Sequence, residues 1–292
     1  MRTVFILGAG ASQPYGLPTG YQLVPQILEI LRLKKGDFES LGILPREMNE
    51  FEKRIRESNI IAIDDLLNQH PQFLELGKLA IAFALVQFEK KSELLKPGID
   101  DDWYRYFFEH LHRLQQPVNP EQYSFITFNY DRSFEEYFDT VTAAFFGNSE
   151  QERKQAILDI PIVHIHGQLG ILPSRGGNCP YAPTQDRSHV QRVAYSLRIT
   201  DKEDDPQTLA RAQVLIRNAN TIRFLGFRYW RTNLDKLEFG KNSANCPDIA
   251  GTAYGFEKAE ISHLKARNPS LKNLHAHPMK IVEFFRKAYP IS

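Results

Sequence analysis

The stretch Thr3-Val4-Phe5-Ile6-Leu7-Gly8-Ala9-Gly10-Ala11-Ser12 decides the fold class. Its first half is a compact apolar run of the kind that forms a parallel strand covered on both faces. Its second half is a glycine loop, in which Gly8 and Gly10 allow the backbone to turn tightly and to approach a phosphate at a helix start. Gln13 stands where a dinucleotide fingerprint has its third glycine, so the loop alone fits an ordinary strand-to-helix turn equally well.

Similar apolar runs recur along the chain, and stretches with helical spacing separate several of them. The runs predict strands at Ser124–Asn129, Ile162–His166, Thr221–Phe227, Gly251–Phe256 and, more weakly, Asn273–Ala276. The other stretches predict helices at Ser133–Phe146, Pro206–Asn218, Glu257–Arg267 and Met279–Tyr289. Alternating strands and helices favour an α/β fold with a doubly wound parallel sheet.

Two regions interrupt this alternation. The first, from about Phe38 to Gln116, has helical spacing at Ile63–Gln69, Phe73–Lys90 and Trp103–Leu114. We interpret residues 37–116 as a helical insert in a single domain, 1–292, whose core comprises residues 1–36 and 117–292. The second, from Leu169 to about Asp205, contains several prolines and glycines and is predicted to be irregular. An irregular loop of that length is uncommon unless it is a lid, a binding loop or disordered.

The composition argues against several classes of protein. The chain has 292 residues, 36 basic and 35 acidic side chains, and a net charge of +1, which gives no footprint for direct binding to nucleic acid or to a membrane surface. Its two cysteines, Cys179 and Cys246, cannot form a four-thiolate zinc site. No apolar stretch approaches the roughly 18–20 residues of a membrane span, and we predict a cytoplasmic protein without a metal.

The segment Thr127-Phe128-Asn129-Tyr130-Asp131 is the first candidate for chemistry. Side chains alternate along a strand, so Thr127 and Asn129 share one face. Asn129 stands at the carboxyl end of its predicted strand, where open α/β sheets bind ligands. Asp131 has an ordinary alternative role, because aspartate is a preferred cap for a following helix. Asn129 lies too far before that helix for capping to be its favoured role.

The segment Val163-His164-Ile165-His166-Gly167 is the second candidate. A histidine at the carboxyl end of a strand and followed by glycine, as His166 is, is well placed to act as a general base. On this motif alone, a histidine satisfied within the fold is the favoured interpretation. His164 and His166 have a spacing that also permits metal binding, but no further ligand cluster is visible and a metal site is disfavoured.

The segment Phe224-Leu225-Gly226-Phe227, followed by Asn233, is the third candidate. It is another apolar run that ends in a glycine, and glycine allows the backbone to come close to a ligand. Each of these segments is modest evidence alone. Together they place small or polar residues at several predicted strand ends, which favours a cofactor crevice at that edge of the sheet.

The order of these motifs along the chain resembles that of SIR2-like domains. The likeness is carried by Gly8–Ser12, Thr127–Asp131, His166-Gly167 and Leu225-Gly226-Phe227, with further similarity at Ile63-Asp64-Asp65-Leu66-Leu67, Asn233–Leu237 and Gly251–Gly255. It extends from Thr3 to about Glu260, and the combination is specific although no single member is. The resemblance implies a Rossmann-like core that binds NAD.

The chain is more similar to the bacterial defence branch of these proteins, whose members destroy NAD, than to the protein deacylases. Deacylases hold a structural zinc with four cysteines and continue the glycine loop into a Pro-Asp-Phe-Arg stretch. This chain has two cysteines and reads Leu17-Pro18-Thr19-Gly20 after the loop. The resemblance therefore implies a hydrolase that takes NAD as its substrate and cleaves the nicotinamide–ribose bond without a metal.

The resemblance also implies roles for individual residues. Asn129 would orient the nicotinamide ribose or the attacking water, and His166 would act as general base, so these two residues would be catalytic. The NAD-binding residues would be Gly8, Ala9, Gly10, Ala11, Ser12, Thr127, Asp131, Gly226, Phe227 and Asn233. The chain departs from the family at Arg228–Thr232, where an aspartate or a proline–glutamate pair is often found. That departure changes how the site is covered or creates a contact for another subunit.

The chief alternative is a regulatory or scaffold subunit of a defence complex that binds NAD or ADP-ribose without turnover. A deacylase or an ADP-ribosyltransferase is a weaker alternative. Constant hydrolysis would deplete the NAD of the host cell, and the core and insert use nearly the whole chain. We therefore expect control in trans, through homo-oligomerisation or a separately encoded partner such as a HerA-type ATPase or an Argonaute. The insert Phe38–Gln116 is the expected assembly surface.

Overall fold

The computed structural model describes residues 1–114, 119–147, 151–238, 247–268 and 271–291. Within these ranges six strands pair in parallel: β1 Thr3–Leu7, β2 Tyr123–Thr127, β3 Ile162–His164, β4 Thr221–Leu225, β5 Asp248–Thr252 and β6 His275–His277. Their order across the sheet is β3-β2-β1-β4-β5-β6. The chain therefore starts in the middle of the sheet, builds outward to β3, and then returns to build β4, β5 and β6 on the other side of β1.

The same ranges contain fourteen α-helices. They are α1 Gly20–Leu33, α2 Lys35–Ser40, α3 Pro45–Ser58, α4 Ile63–Gln69, α5 Leu74–Val86, α6 Lys91–Leu94, α7 Trp103–Arg113, α8 Ser133–Phe146, α9 Gln151–Leu158, α10 Arg187–Tyr195, α11 Pro206–Arg217, α12 Arg231–Lys236, α13 Lys258–Arg267 and α14 Ile281–Lys287. None of these described helices is long and apolar enough to cross a membrane.

Helices cover both faces of the sheet, which confirms the predicted α/β fold with a doubly wound parallel sheet. On one face, Phe5 and Leu7 of β1 pack with side chains of α7, α8 and α14. On the other face, Val4 and Ile6 pack with side chains of α11 and α12. Because both faces are covered, β1 is apolar on both sides, and the sequence run predicts its observed bounds.

A third apolar cluster lies in the region of the predicted insert. The helix α5 is buried on nearly all sides and packs against α1 and α10, with α3 and α4 beside it. Two helices end near the predicted limits of the insert, residues 37 and 116. The helix α1 packs in this cluster, whereas α7 packs on the sheet. The limits of the insert stay a prediction, and its boundary at Gln116 lies outside the described residues.

A buried ion pair joins the insert to the core. The Arg132 guanidinium, between β2 and α8, donates to Glu89 Oε1 at 3.0 Å and to the Cys179 carbonyl at 2.6 Å. Both charged side chains are fully buried, and burial raises the pKa of Glu89 to about 7 although Arg132 opposes the rise. Removing one member of such a pair leaves an uncompensated buried charge. Cys179 is a buried free cysteine, and Cys246 lies outside the described residues.

The predicted carboxyl ends of three strands were wrong by two residues. The strands β2, β3 and β4 end at Thr127, His164 and Leu225, whereas the apolar pattern predicts ends at Asn129, His166 and Phe227. The apolar pattern of the sequence continues past the ends of β2 and β4 because Phe128 and Phe227 are buried, with their rings 5.3 Å apart. Both residues nevertheless lie after the strands have ended. The strand β5 begins at Asp248 and β6 spans His275–His277, so their predicted bounds were also shifted.

The prediction that the chain is irregular from Leu169 to Asp205 was wrong in its second half, which contains α10. The Asp186 side chain caps this helix by accepting a hydrogen bond from the Ser188 amide at 2.9 Å. Val190 and Val193 are buried against the insert cluster. The helix is amphipathic and is stabilised by this packing. Because its composition is mostly polar, the sequence alone did not predict it.

Candidate functional site

The loop after β1 lies at the point where the strand order reverses. The strand β1 has β2 on one side and β4 on the other, so the loop after β1 meets the loop after β4. The Gly8 amide donates to the Leu225 carbonyl and the Gly10 amide to the Gly226 carbonyl, both at 3.0 Å. A Cβ on Gly8 would lie 2.6 Å from the Gly226 oxygen. Gly8 and Gly10 are therefore required because the backbone of this loop contacts the backbone of the loop after β4.

Most amides of this loop are used within the protein. In addition to Gly8 and Gly10, the Ala11 amide donates to the Gly8 carbonyl at 2.8 Å and the Ser12 amide to the Ala9 carbonyl at 3.2 Å. Among the described residues, only the Ala9 amide of this loop has no protein acceptor. The role of the loop in holding a pyrophosphate therefore stays a prediction, and in this conformation Ala9 offers its one free N–H.

Asn129 lies against the same loop. Its Nδ2 donates to the Gly8 carbonyl at 3.1 Å and to Ser12 Oγ at 3.0 Å. The Ser12 hydroxyl donates in turn to Asp131 Oδ1 at 3.1 Å. We call Gly8–Ser12, Asn129, Asp131 and Gly226 the glycine-loop cluster. The structure thus brings together most of the predicted NAD-binding residues with one of the two predicted catalytic residues.

Asp131 makes the contact expected of a helix cap. Its Oδ1 accepts the Ser133 amide at 3.1 Å at the start of α8, and it also accepts the Ser133 hydroxyl. Burial raises the pKa of Asp131, although these hydrogen bonds oppose the rise. This geometry favours the structural role that the sequence left open for Asp131.

The remaining predicted NAD-binding residues are held by backbone geometry or core packing. Thr127 Oγ1 accepts the Asn129 amide at 3.0 Å. Gly226 has φ +57°, and its amide donates to Thr252 Oγ1 at 2.9 Å. The Phe227 ring is buried beside the rings of Phe128 and Phe224. Their contact with NAD stays a prediction.

His164 forms a buried pair that the sequence did not predict. Its Nδ1 lies 3.1 Å from the Asn129 carbonyl, and its Nε2 contacts a carboxylate oxygen of Glu135. Burial alone would lower the pKa of His164, but the charge and hydrogen bond of Glu135 outweigh it and raise that pKa. The pKa of Glu135 is lowered, because His164 outweighs the effect of its burial. Both ring nitrogens face acceptors, which favours the doubly protonated imidazolium.

His166 lies in the turn after β3, close to two aromatic rings. Its ring centroid is 5.3 Å from that of Phe128 and 6.0 Å from that of Tyr130. The side chain is 6% exposed, and its Nε2 has no hydrogen-bond partner in the described part of the chain. Burial, followed by the charge of Lys236, lowers the pKa of His166 to about 3. Such a histidine is neutral at pH 7 and a weak proton acceptor, which argues against the role of general base.

His166 lines a small cavity between the insert and the core. The cavity has a volume of about 50 Å³, and its lining comprises Ala62, Asp64, Asp65, Asn68, His166, Ile199, Asp201, Trp230, Thr232, Asn233 and Lys236. We call it the insert cavity. It contains the predicted residues His166 and Asn233, whereas Asn129 is not among its lining residues. Ligand pockets commonly have roughly 300–1,000 Å³, so the insert cavity is too small to hold a dinucleotide.

Asp64 is a lining residue with a strongly shifted pKa. It lies in the first turn of α4, and its Oδ1 accepts the Tyr130 hydroxyl at 2.6 Å. Burial raises the pKa of Asp64 to about 6, although this hydrogen bond and the Lys236 charge oppose the rise. The sequence pointed to Asp64 only as part of the Ile63–Leu67 resemblance and gave it no role.

Residues 199–205, which we call the roof segment, tie the insert to the core beside the cavity. The Lys236 ammonium of α12 lies 3.0 Å from Asp201 and 2.7 Å from Asp204. On the insert side, Asn68 Oδ1 accepts the Asp201 amide at 3.2 Å, and Lys78 pairs with Glu203. The roof segment is thus fixed from both sides.

The segment at which the chain departs from the SIR2-like pattern also contacts this region. Tyr229 has φ +59°, which is uncommon outside glycine. Its ring is buried, and its hydroxyl donates to the Thr252 carbonyl at 3.0 Å. Trp230 is 41% exposed and lines the insert cavity. The buried Tyr229 ring anchors the segment next to Trp230.

Within the described residues, no group of three or more His, Cys, Asp or Glu side chains is gathered as a metal ion would require.

Comparison with known proteins gives structural likeness only. No protein-family model matches the sequence, and no curated protein matches it. Three sirtuin structures are similar over 98% of this chain. A SIR2 protein in complex with the inhibitor EX-527, 2'-O-acetyl-ADP-ribose and a deacetylated p53 peptide has 14% identity and a TM-score of 0.42 over 91% of that chain.

The second structure, Sir2Tm bound to a propionylated peptide, has 15% identity and a TM-score of 0.39 over 91% of its length. The third, which concerns the structural basis of sirtuin substrate affinity, has 16% identity and a TM-score of 0.37 over 92% of its length. Likeness at this level carries no argument about activity. Evidence for a function therefore comes from the sheet order and from the geometry of the site.

Proposed function

We propose that this protein binds NAD at the carboxyl edge of the sheet and hydrolyses its nicotinamide–ribose bond, giving nicotinamide and ADP-ribose. The observation that carries the proposal is the strand order β3-β2-β1-β4-β5-β6 with a glycine loop directly after β1. Rossmann sheets with this order bind dinucleotides in the crevice where the order reverses, against the loop after the first strand.

Two features beyond the strand order support hydrolysis. Asn129 lies on the glycine loop through its bonds to Gly8 and Ser12, at the edge where the nicotinamide ribose would enter. His166 keeps a buried ring nitrogen without a partner in the described residues, and such a group in a native structure calls for an explanation such as a role in catalysis or an unobserved water. In the proposed reaction Asn129 orients the ribose, and neutral His166 positions the attacking water.

The closed insert cavity supports restraint of this activity. Its volume of about 50 Å³ is too small for the nicotinamide ribose, so access of the reacting bond to His166 would require the roof segment or the insert to move. We therefore extend the proposal to a cytoplasmic antiphage-defence effector that depletes NAD once it is activated. Activation would come from homo-oligomerisation or from a separately encoded partner, such as a HerA-type ATPase or an Argonaute, with the insert as the assembly surface.

A second candidate is a subunit that binds NAD or ADP-ribose without turnover. The observation that favours it is the pKa of about 3 for His166, because the residue expected to act as general base holds a proton poorly. On this alternative the glycine-loop cluster still binds the dinucleotide, and the insert cavity transmits occupancy to a partner.

The test incubates the purified protein with NAD and quantifies nicotinamide and ADP-ribose by chromatography. Misplacing a reacting group can cost about 10²-fold, so His166→Ala should lose roughly that much turnover, and Asn129→Ala should also lose activity. His189→Ala is the matched control, because His189 is also 6% exposed and its Nε2 is also unpartnered among the described residues, but it lies on α10. The control variant should keep wild-type turnover.

A binding titration with NAD and with ADP-ribose on the same samples separates the two candidates. Release of nicotinamide by wild type and its loss in His166→Ala and Asn129→Ala would establish the hydrolase. Tight binding without release, at all protein concentrations and after addition of a candidate partner, would favour the binding subunit. Absence of binding to either ligand would refute both.

A further inference from the structure

The insert contributes side chains to the cavity that holds His166. Three polar residues of α4, Asp64, Asp65 and Asn68, line the insert cavity together with His166 and Lys236. The helix α4 lies more than 50 residues before β2 in the chain, so the fold creates this juxtaposition. A helical insert that only served assembly would have no need to place carboxylates against the buried histidine of the core.

Asp64 is held at the cavity by a specific contact. The Tyr130 hydroxyl donates to Asp64 Oδ1 at 2.6 Å, and Tyr130 directly follows Asn129 in the chain. The Tyr130 carbonyl accepts the Leu169 amide at 2.9 Å, so the tyrosine is fixed from its backbone side as well. One short segment therefore carries the Asn129 amide toward the glycine loop and the Tyr130 hydroxyl toward Asp64.

An ordinary role for Asp64 at the start of a helix does not explain this geometry. An aspartate in the first turn of a helix is stabilised by the helix dipole, and such a residue is normally solvated. Asp65, beside it in the same turn, meets that description because it is exposed. Asp64 is instead partly buried, and this burial disfavours its charged form, although the hydrogen bond from the Tyr130 hydroxyl opposes that effect.

We infer that Asp64, supplied by the insert, is the proton acceptor for the water that attacks the ribose, with His166 as a neutral hydrogen-bonding partner of that water. The inference rests on the proposed hydrolysis of NAD. As the water oxygen bonds to the anomeric carbon, its proton passes to the Asp64 carboxylate. The bond from that carbon to the nicotinamide nitrogen breaks, and its electron pair stays on the nicotinamide ring, which becomes neutral.

The charges around Asp64 suit this role. Asp65 on the same helix raises the pKa of Asp64, whereas the Tyr130 hydroxyl and Lys236 of α12 lower it. The roof segment adds Asp201 at the cavity and Glu203, which is paired with Lys78. Together with burial, which is the largest cause for both groups, these charges give a pKa of about 6 for Asp64 against about 3 for His166. A general base works best when its pKa lies near the operating pH, so Asp64 is the better acceptor.

The experiment measures nicotinamide release from NAD between pH 5 and pH 9 by the full-length protein and by single variants. For wild type, kcat/KM should rise with pH through a midpoint near 6 as Asp64 ionises. Asp64→Asn should lose about 10²–10⁴-fold in kcat, keep NAD binding, and lose the rise near pH 6. Asp102→Asn is the matched control, because Asp102 also accepts a tyrosine hydroxyl, from Tyr15 at 3.1 Å, but faces a different groove.

Two milder variants move the same midpoint in opposite directions. Tyr130→Phe removes a hydrogen bond that lowers the pKa of Asp64, so the midpoint should move to higher pH. Asp65→Asn removes a charge that raises this pKa, so the midpoint should move to lower pH. A residue with a purely structural role would change the amplitude of activity without these opposite shifts.

The outcomes separate this inference from the proposed function. If wild type releases nicotinamide, and Asp64→Asn keeps both its rate and the rise near pH 6, then Asp64 is not the acceptor and the hydrolase stands. The same conclusion follows if neither Tyr130→Phe nor Asp65→Asn moves the midpoint. If wild type releases no nicotinamide at any pH, at all protein concentrations and after addition of a candidate partner, the proposed function fails, and the role of Asp64 fails with it.

Discussion

The glycine-loop cluster and the insert cavity lie at neighbouring strand ends but satisfy their polar groups in opposite ways. In the cluster, Asn129 bonds to Gly8 and Ser12, and Ser12 bonds to Asp131. In the cavity, the His166 Nε2 has no partner among the described residues, and the pKa values of His166 and Asp64 are far from their ordinary range.

This difference separates a scaffold from a reactive site. Hydrogen-bonded polar networks make a structure rigid, so the glycine-loop cluster, in which the Asn129, Ser12 and Asp131 side chains are bonded to one another, is expected to fix where a dinucleotide can lie. Perturbed pKa values and unpaired buried groups are concentrated at functional sites, so the insert cavity is where chemistry is expected. We therefore expect variants in the glycine-loop cluster to act mainly on stability and variants in the insert cavity to act mainly on activity.

The largest effect on stability is expected from Gly226→Ala in the glycine-loop cluster. Gly226 has φ +57°, and an added Cβ would lie 2.2 Å from the Ala11 nitrogen. The contact is between two backbone segments, and neither can move aside as a flexible side chain could. We expect a loss of about 4–5 kcal/mol in the free energy of unfolding, the upper end of single-residue effects. Urea denaturation followed by circular dichroism measures it.

Gly36→Ala is the control for this prediction. Gly36 lies in α2, and nothing lies within 4 Å of its added Cβ. Alanine in an accommodating helix stabilises by about 0.4–1 kcal/mol. If Gly226→Ala were as stable as Gly36→Ala, the glycine-loop cluster would be adaptable, and its contrast with the insert cavity would disappear.

The fold could be predicted from the sequence because its strands are buried on both faces. The run Thr3–Leu7 and the helical spacing of Ile63–Gln69 and Ser133–Phe146 predict elements with their observed bounds. The pattern fails where a buried aromatic side chain belongs to a turn, as for Phe128 and Phe227. It also fails for α10, whose apolar residues pack on the insert and have no local signal beyond their spacing.

The site was only partly predictable, for a similar reason. Asn129 and the glycine loop follow strands directly, so the topology of the sheet brings them together. The contact between Asp64 and Tyr130 joins residues 66 positions apart, and it exists only because the insert folds back on the core. His164 was noticed only as a neighbour of His166, since its pairing with Glu135 depends on how α8 packs beside β3.

A smaller loss of stability, about 3 kcal/mol, is expected for Glu135→Gln beside the glycine-loop cluster. The change leaves the buried His164 imidazolium without its counter-charge, and breaking a buried pair costs about 3–5 kcal/mol. His164 has a raised pKa, so its contribution is present below its ordinary value of 6.5 and is lost as pH rises through the folded pKa. Glu135 has a lowered pKa, so its contribution is present above 4.5 and is lost as pH falls through the folded pKa.

The difference between wild type and Glu135→Gln should therefore be largest between about pH 4.5 and 6.5 and shrink on either side. Denaturation curves at a series of pH values measure it. Glu283→Gln removes an exposed pair on α14 and should change stability by less than about 1 kcal/mol. A difference in stability that does not change with pH would show that His164 is neutral and that the Asn129 carbonyl contacts an uncharged imidazole.

The smallest effect on stability, and the one opposite in sign, is expected for Asp64→Asn in the insert cavity. The pKa of Asp64 is raised from 3.8 to about 6, so the native state resists its ionisation, and stability falls as pH rises through that range. At about 1.36 kcal/mol per pKa unit, the neutral asparagine should stabilise the protein by about 1–3 kcal/mol at pH 7. The gain should shrink towards pH 4 and vanish only well below the unfolded-state pKa of 3.8, where both states of the wild type carry a protonated Asp64.

Asparagine can still accept the Tyr130 hydroxyl, so the hydrogen bond seen at 2.6 Å survives the change. The same variant is expected to lose turnover, and a gain in stability joined to a loss of activity is typical of a group kept in an unfavourable state for function. A structural aspartate would behave in the opposite way, because its removal would lower the melting temperature. Thermal unfolding of wild type and Asp64→Asn at pH 4 and pH 7 therefore separates the two roles without NAD.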